Sequence, residues 1–218
     1  VLDLGCGKGE YTVACAKMRP DVLFVGFDVD AVCTLRAAEA AAAAGVDNAV
    51  FLMDGVPSFG DGIEAGIADS GAGNGKDLLR GEAIASADRQ HDDASGACDA
   101  QGGARAFAKR VDQAHASRAS EGKAARSGAP AEIDLSTVFV SGELSALLMN
   151  FPTPFPKKKK AHLRLTYLDR LMGYRSLLAQ GAGMRLRTDS QPLRDFTLTQ
   201  LELAGYEVTW RSDDVRSE

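Results

Sequence analysis

Val1-Leu2-Asp3-Leu4-Gly5-Cys6-Gly7-Lys8-Gly9-Glu10 decides how this chain is read. A short apolar strand runs straight into glycines at alternate positions, and a helical pattern comes next. Glycines at such a turn let the backbone bend sharply and let a ligand approach without meeting a Cβ. The helix that begins near Glu10 presents its free N–H groups at the same point. The stretch therefore reads as the ligand loop of a nucleotide-type site. The dinucleotide fingerprint asks for glycine at positions one, three and six. Counted from Gly5, position six is Glu10, which argues against a nicotinamide dinucleotide. An acidic residue stands at the end of the strand, Asp3, and another closes the next strand, Asp28 of Leu23-Phe24-Val25-Gly26-Phe27-Asp28. One carboxylate has enough lone pairs to accept from both hydroxyls of a vicinal diol.

Outward from the loop, the first third alternates strand and helix. The pattern gives a strand over 1–4, a helix over 10–19, a strand over 22–28, an alanine-rich helix over 31–44 stopped by Gly45, and a strand over 49–53. Such alternation implies an α/β domain with a mostly parallel twisted sheet and helices on both faces. From 58 to 132 the pattern stops. That stretch is rich in Gly, Ala, Ser and Asp, and its only aromatics are Phe59 and Phe107. Too little apolar surface is present to offset the entropy of ordering it, so it reads as a low-complexity or disordered insertion. Part of it, such as 104–116, has weak helical character, and His91 and His115 have no ligand-like companions. The alternation resumes near Ile133, with a strand over 146–151 and an amphipathic helix over 166–180 ended by Gly181-Ala182-Gly183. A strand over 184–189, a helix over 192–204 capped by Gly205, and a strand over 206–211 complete the pattern. The expectation is one domain over 1–218, interrupted at 58–132.

The 218 residues, 45% of them hydrophobic, suffice for one α/β core. A net charge of −5 argues against bulk electrostatic binding to nucleic acid but leaves room for a local basic patch. Cys6, Cys15, Cys33 and Cys98 lack paired metal spacing, so no metal site is expected. Their character fits a reducing, cytoplasmic setting. No apolar run approaches the roughly 20 residues that span a bilayer. The chain opens inside a strand without an initiator Met, so the natural start is expected to lie upstream.

The second informative stretch is Asn150-Phe151-Pro152-Thr153-Pro154-Phe155-Pro156-Lys157-Lys158-Lys159-Lys160. It comes directly after a strand, and in a parallel sheet ligands sit at the carboxyl ends of strands. The loop should therefore lie beside the glycine loop. Its prolines fix an extended backbone. Lysines 157–160, His162 and Arg164 stand at the rim of the site in an otherwise acidic chain, which suits a polyanionic substrate held by its phosphates.

Alternate glycines with Asp28 about 20 residues on resemble the S-adenosylmethionine loop of class I methyltransferases. Phe151 to Lys158, with Arg164-Leu165-Thr166, resembles the "FPDPWPKK…RRL" signature of the bacterial tRNA (guanine-N7)-methyltransferases. The resemblance extends over Leu2 to Glu10, the Asp28 strand, Phe51 to Asp54 and the Thr188-Asp189 pair. It implies a Rossmann-like class I methyltransferase fold, S-adenosylmethionine as cofactor and methylation of guanine 46 in tRNA. By position, the resemblance assigns Asp3, Gly5, Gly7, Gly9, Asp28, Asp54 and Asn150 to the cofactor. It assigns Lys157, Lys158, Arg164 and Asp189 to the substrate. Thr153 stands where the family has its acidic active-site residue, and Phe155 replaces its tryptophan. The family's later "TxYE" segment would lie beyond Asp214, so the expectation is a chain truncated at its ends or a divergent member, monomeric or homodimeric. Another class I methyltransferase, or a non-catalytic RNA- or cofactor-binding relative, is the alternative.

Overall fold

A computed structural model describes residues 1–53, 56–59, 100–120 and 132–214. In chain order these form β1 (Leu2–Leu4), α1 (Glu10–Met18), β2 (Phe24–Asp28), α2 (Ala31–Ala43), β3 (Ala49–Met53) and β4 (Val56–Ser58). Then come α3 (Ala100–Ser120), β5 (Glu132–Asp134), α4 (Leu135–Val138) and β6 (Leu144–Asn150). A 3-10 segment (Lys158–Leu163), α5 (Leu168–Leu177), β7 (Leu178–Arg187) and α6 (Gln191–Leu203) complete the set. Five strands make one sheet in the order β3-β2-β1-β6-β7, and its pairings are parallel. Helices flank it, α1 packing on α2 and α5 on α6. This is the Rossmann-like architecture expected from the alternation.

The sheet order reverses between β1 and β6. Ligands of open parallel sheets bind outside the carboxyl ends of the strands at such a reversal. β1 and β6 are also where the core is densest: Leu2, Leu4, Leu147 and Met149 are buried completely or nearly so. Strands covered on both faces read as apolar runs. The two expected glycine stops are realised as reciprocal cap bonds. Gly45 N–H donates to Ala42 O and Val46 N–H to Ala41 O; Gly205 N–H donates to Glu202 O and Tyr206 N–H to Leu201 O. Both glycines take the left-handed backbone this cap requires, φ 66 and 70.

Three expectations differ from the structure. The helix expected to run to 180 ends at Leu177, and Gly181-Ala182-Gly183 lies inside β7. Between Leu144↔Leu178 and Ala146↔Gly183 the pairing advances two residues on β6 and five on β7. The surplus bulges out, and Gly181 at φ 78 supplies the bend. The strand expected over 206–211 is not formed. Tyr206 turns inward instead, its Oη donating to Leu171 O at 2.8 Å.

The third difference concerns the described parts of 58–132. β4 and β5 pair in parallel, bringing the stretch's two flanks together. Phe59 packs edge-on against Tyr174, ring centroids 5.4 Å apart. Phe107, Val111 and Ala114 recur at helical spacing on α3 and join the core, Phe107 meeting Phe139 at 5.2 Å between centroids. The Arg110 guanidinium forks onto Glu143 at 2.6 and 2.9 Å, fastening the helix to the turn before β6. A sparse apolar stripe, unable to order a segment alone, suffices once a preformed core receives it. Residues 60–99 and 121–131 lie outside the described residues. Among the described residues no helix is long and apolar enough to cross a membrane.

Phe107→Ala should therefore destabilise the protein by about 3–5 kcal/mol in urea denaturation, the cost of emptying a core aromatic site. A loss below about 1 kcal/mol would mean that α3 is not part of the cooperative core.

Candidate functional site

The three loop glycines take left-handed backbone for different reasons. Gly5, Gly7 and Gly9 have φ 75, 55 and 73. At Gly9 a Cβ would meet Ala37 Cβ at 2.6 Å and the Phe51 ring at 2.8 Å, so this glycine lets α1 start against α2 and β3. At Gly7 a Cβ would meet nothing within 4 Å, and at Gly5 only Leu165 at 3.9 Å. These two leave open space at the carboxyl end of β1. The loop is tied to β2 by Gly5 N–H and Cys6 N–H, which donate to Phe27 O at 2.8 and 3.1 Å.

Asp28 completes that tie. Its Oδ2 accepts from Gly7 N–H at 2.8 Å and its Oδ1 from Asp30 N–H at 2.9 Å. The carboxylate is half-buried, and each oxygen keeps a further lone pair. Asp3, 1% exposed, accepts from Thr12 Oγ1 at 2.7 Å. Its other oxygen faces Asn150 Nδ2 at 3.4 Å across the β1–β6 reversal. Burial pushes the Asp3 carboxyl above its ordinary range, with the Thr12 and Asn150 hydrogen bonds opposing and the Asp28 charge adding. Burial, then the Asp3 and Asp28 charges, push the Cys6 thiol up to about 12, so it stays protonated and inert. Asp54 lies outside the described residues.

The proline-lysine loop is held from within. Arg164, expected among the substrate contacts, is 8% exposed. Its Nε and Nη2 donate to Pro154 O and Phe155 O, both at 3.0 Å, and its guanidinium stacks 4.2 Å above the Phe196 ring. Its planar fork matches two loop carbonyls, so Arg164 shapes the loop from within. Arg170, also 8% exposed, donates to Pro57 O at 2.9 Å and to His162 O. The segment then docks on α6 through Thr166 with Thr197 at 2.8 Å and Leu168 N–H to Gln200 Oε1 at 3.0 Å. Lysines 157–160 and Thr153 remain exposed. Phe151 and Phe155 take left-handed backbone, φ 52 and 39, and Phe151 is 65% exposed at the end of β6.

Asp189 lies just beyond β7 in a cleft of about 260 Å³ that Thr188, Gln191 and Arg194 also line. The structure thus gathers Asp3, Gly5, Gly7, Asp28 and Asn150 around the β1–β6 reversal. It sets Arg164 inside the loop that the lysines decorate. Thr12 and Arg170, which position these groups, escaped the sequence reading; a hydroxyl one turn into α1 was the available signal for Thr12. Among the described residues no group of His, Cys, Asp or Glu is arranged to hold a metal ion.

Residues 111–216 match a family described as "Putative methyltransferase", and residues 1–57 match one described as "Methyltransferase domain". The fold is that of the class I methyltransferases, a fold consistent with binding S-adenosylmethionine. The chain is 26% identical over 215 residues to a tRNA (guanine-N(7)-)-methyltransferase of Christiangramia forsetii, an alignment covering 99% of this chain and 62% of that protein. It is 38% identical over 73 residues to the enzyme of that name from Geobacillus kaustophilus, covering 34% of each. The chain thus spans less than two thirds of either relative. The crystal structure of the aminoglycoside resistance methyltransferase NpmB1 aligns with TM-score 0.39 and 16% identity, over 97% of this chain and 64% of that one.

The loop and Asp3 each give a testable outcome. Gly9→Ala should lose about 2–5 kcal/mol of stability, from left-handed strain plus overpacking. Gly7→Ala, with open space around it, should lose only about 1–2 kcal/mol; equal losses by urea denaturation would contradict the packing role of Gly9. Asp3→Asn should be at least as stable as the wild type at neutral pH. A carboxyl whose folded pKa is raised costs stability as pH climbs from its unfolded value through its folded one. The variant's advantage should therefore grow from pH 4 to pH 7 in thermal melts, and an advantage that shrank over that window would reverse the assignment.

Proposed function

We propose that this chain is a tRNA (guanine(46)-N7)-methyltransferase, transferring a methyl group from S-adenosylmethionine to N7 of guanine. The observation that carries the reading is the proline-lysine loop. Arg164 pins it internally, α6 braces the segment after it, and the loop with its exposed lysines leaves directly from the carboxyl end of β6. Names borne by the two relatives favour the same substrate.

The residues fit the cofactor. Gly5 and Gly7 leave a cradle that side chains would fill, and the Asp28 oxygens retain lone pairs for the ribose hydroxyls. Asp3 and Asn150 brace the floor of that cradle, with Gly9 packing beneath; the resemblance assigns Asp54 to the same cofactor. When bound, S-adenosylmethionine supplies an electrophilic methyl group. The chain's own task is to bring guanine N7 in line with it and keep water away. N7 already carries a lone pair, so no side chain must remove a proton first. Lys157 and Lys158 hold phosphates as mobile point charges. Asp189 accepts from a base or ribose. Thr153 offers a hydroxyl where the related signature has a carboxylate. Loss of a charged acceptor there weakens the hold on guanine by about 1.5–3 kcal/mol, roughly 10–100-fold in rate. The enzyme acts in the cytoplasm, needs no metal, and works as a monomer or homodimer. Thr153 favours one second reading, a relative that keeps cofactor and RNA binding without transfer.

The test is transfer of labelled methyl from S-adenosylmethionine to unmodified bulk tRNA, with nucleoside analysis of the product. 7-Methylguanosine above background is expected, with Thr153→Asp faster by about 10-fold or more. Label in a different nucleoside, or cofactor binding without transfer to any tRNA, would overturn the proposal.

A further inference from the structure

Arg185 and Arg187 stand two residues apart on β7, so both side chains leave the same face of the sheet. That is the face covered by α1, since Arg187 Cζ lies 5.4 Å from the Tyr11 ring centroid. In the β6–β7 register Arg187 is opposite Asn150 and Arg185 opposite Leu148. The pair therefore climbs toward the β1–β6 reversal, where Asn150 faces Asp3.

What sets these two apart is that no anion pairs with them among the described residues. Among the described residues, the other arginines that are buried or half-buried each donate to a carboxylate or a carbonyl. Arg19 holds Asp21, Arg110 holds Glu143, Arg194 holds Asp195 and Asp213, and Arg164 and Arg170 hold backbone oxygens. Arg185 and Arg187 are half-buried too, yet neither side chain has an ion pair or hydrogen bond to a described residue, and Arg187 Nε is buried without a partner among them. Burial and the neighbouring Arg187 charge both disfavour the Arg185 cation, against a smaller opposing effect from Tyr11 and Cys15. Two partly desolvated like charges side by side are unfavourable until an anion joins them. A guanidinium fork is shaped for the paired oxygens of a phosphate.

We propose that Arg185 and Arg187, beside Tyr11, form an anion site that takes a backbone phosphate of the RNA substrate. The site rests on the proposed tRNA methyltransferase function and extends it from the lysine loop to the α1 face of the sheet. The lysines recruit RNA as flexible point charges, while the arginine pair, fixed by strand and helix, sets its register. Backbone contacts of this kind position a nucleic acid without specifying its sequence.

The experiment measures binding of unmodified tRNA to the full chain against salt, alongside S-adenosylmethionine binding by calorimetry. The variants are Arg185→Gln/Arg187→Gln and the charge-keeping Arg185→Lys/Arg187→Lys. The glutamine pair should bind tRNA about 10-fold or more weakly, with a salt slope lower by about 1 to 2, and cofactor affinity unchanged. The lysine pair, which guards against a folding defect, should keep the salt slope and recover part of the affinity. Unchanged tRNA affinity and slope in the glutamine pair would overturn the site. Weakened cofactor binding in its place would overturn it too, because the anion would then be the cofactor's carboxylate. A wild type that binds tRNA without forming 7-methylguanosine refutes the methyl-transfer reading while leaving this measurement intact.

Discussion

A buried hydrogen bond, from Thr12 to the Asp3 carboxylate, governs how the first helix meets the first strand. Asp3 sits in the middle of β1 and Thr12 in the first turn of α1, so the bond fixes the height of the helix above the strand. The glycine loop between them has only the path those anchors allow. Its backbone must bend left-handed three times, and its N–H groups must face Phe27 and Asp28 on the neighbouring strand. Burying a carboxylate costs free energy. The compensation is that one group braces α1 and, through Asn150, faces β6 on the far side of the sheet's reversal.

A similar economy operates on the opposite flank. The proline-lysine loop carries four consecutive lysines, whose mutual repulsion favours a loose chain. Arg164 and Arg170 counter this by gathering backbone carbonyls under the loop, and α6 clamps Thr166 and Leu168 beyond it. The cations that shape the loop are thus buried arginines, and the cations left outside are lysines. The division has a chemical basis: a planar fork can satisfy two carbonyls at once, whereas an ammonium group stays hydrated.

Much of this was legible in the chain. The strand-glycine-helix passage, the closing Asp28, the Gly45 and Gly205 stops and the apolar run of β6 each rest on local physics, so local reading recovers them. What escaped depends on long-range partners. Nothing near Arg164 in sequence says that its guanidinium turns back under Pro154, because the partner that fixes it, Phe196, lies 32 residues on. Phe107 looked stranded in a polar stretch for the same reason, its receiving ring being Phe139. Gly181 to Gly183 read as a helix stop because glycine signals a departure from regular structure without saying which. Here the departure is a bulge in a strand, and only the partner strand reveals it.

Phe151 and Phe155 carry a further implication, for how this protein would respond to selection. A left-handed backbone at a residue with a Cβ costs on the order of 1–3 kcal/mol. Glycine at either position would be relieved of most of that strain. Screens for thermal resistance would therefore be drawn to this loop early. The hardiest descendants would have exchanged a rigid aromatic rim for a slack one, gaining endurance at the place where shape matters most. The two phenylalanines mark a chain whose stability is set below its attainable maximum, with the shortfall concentrated beside the candidate site.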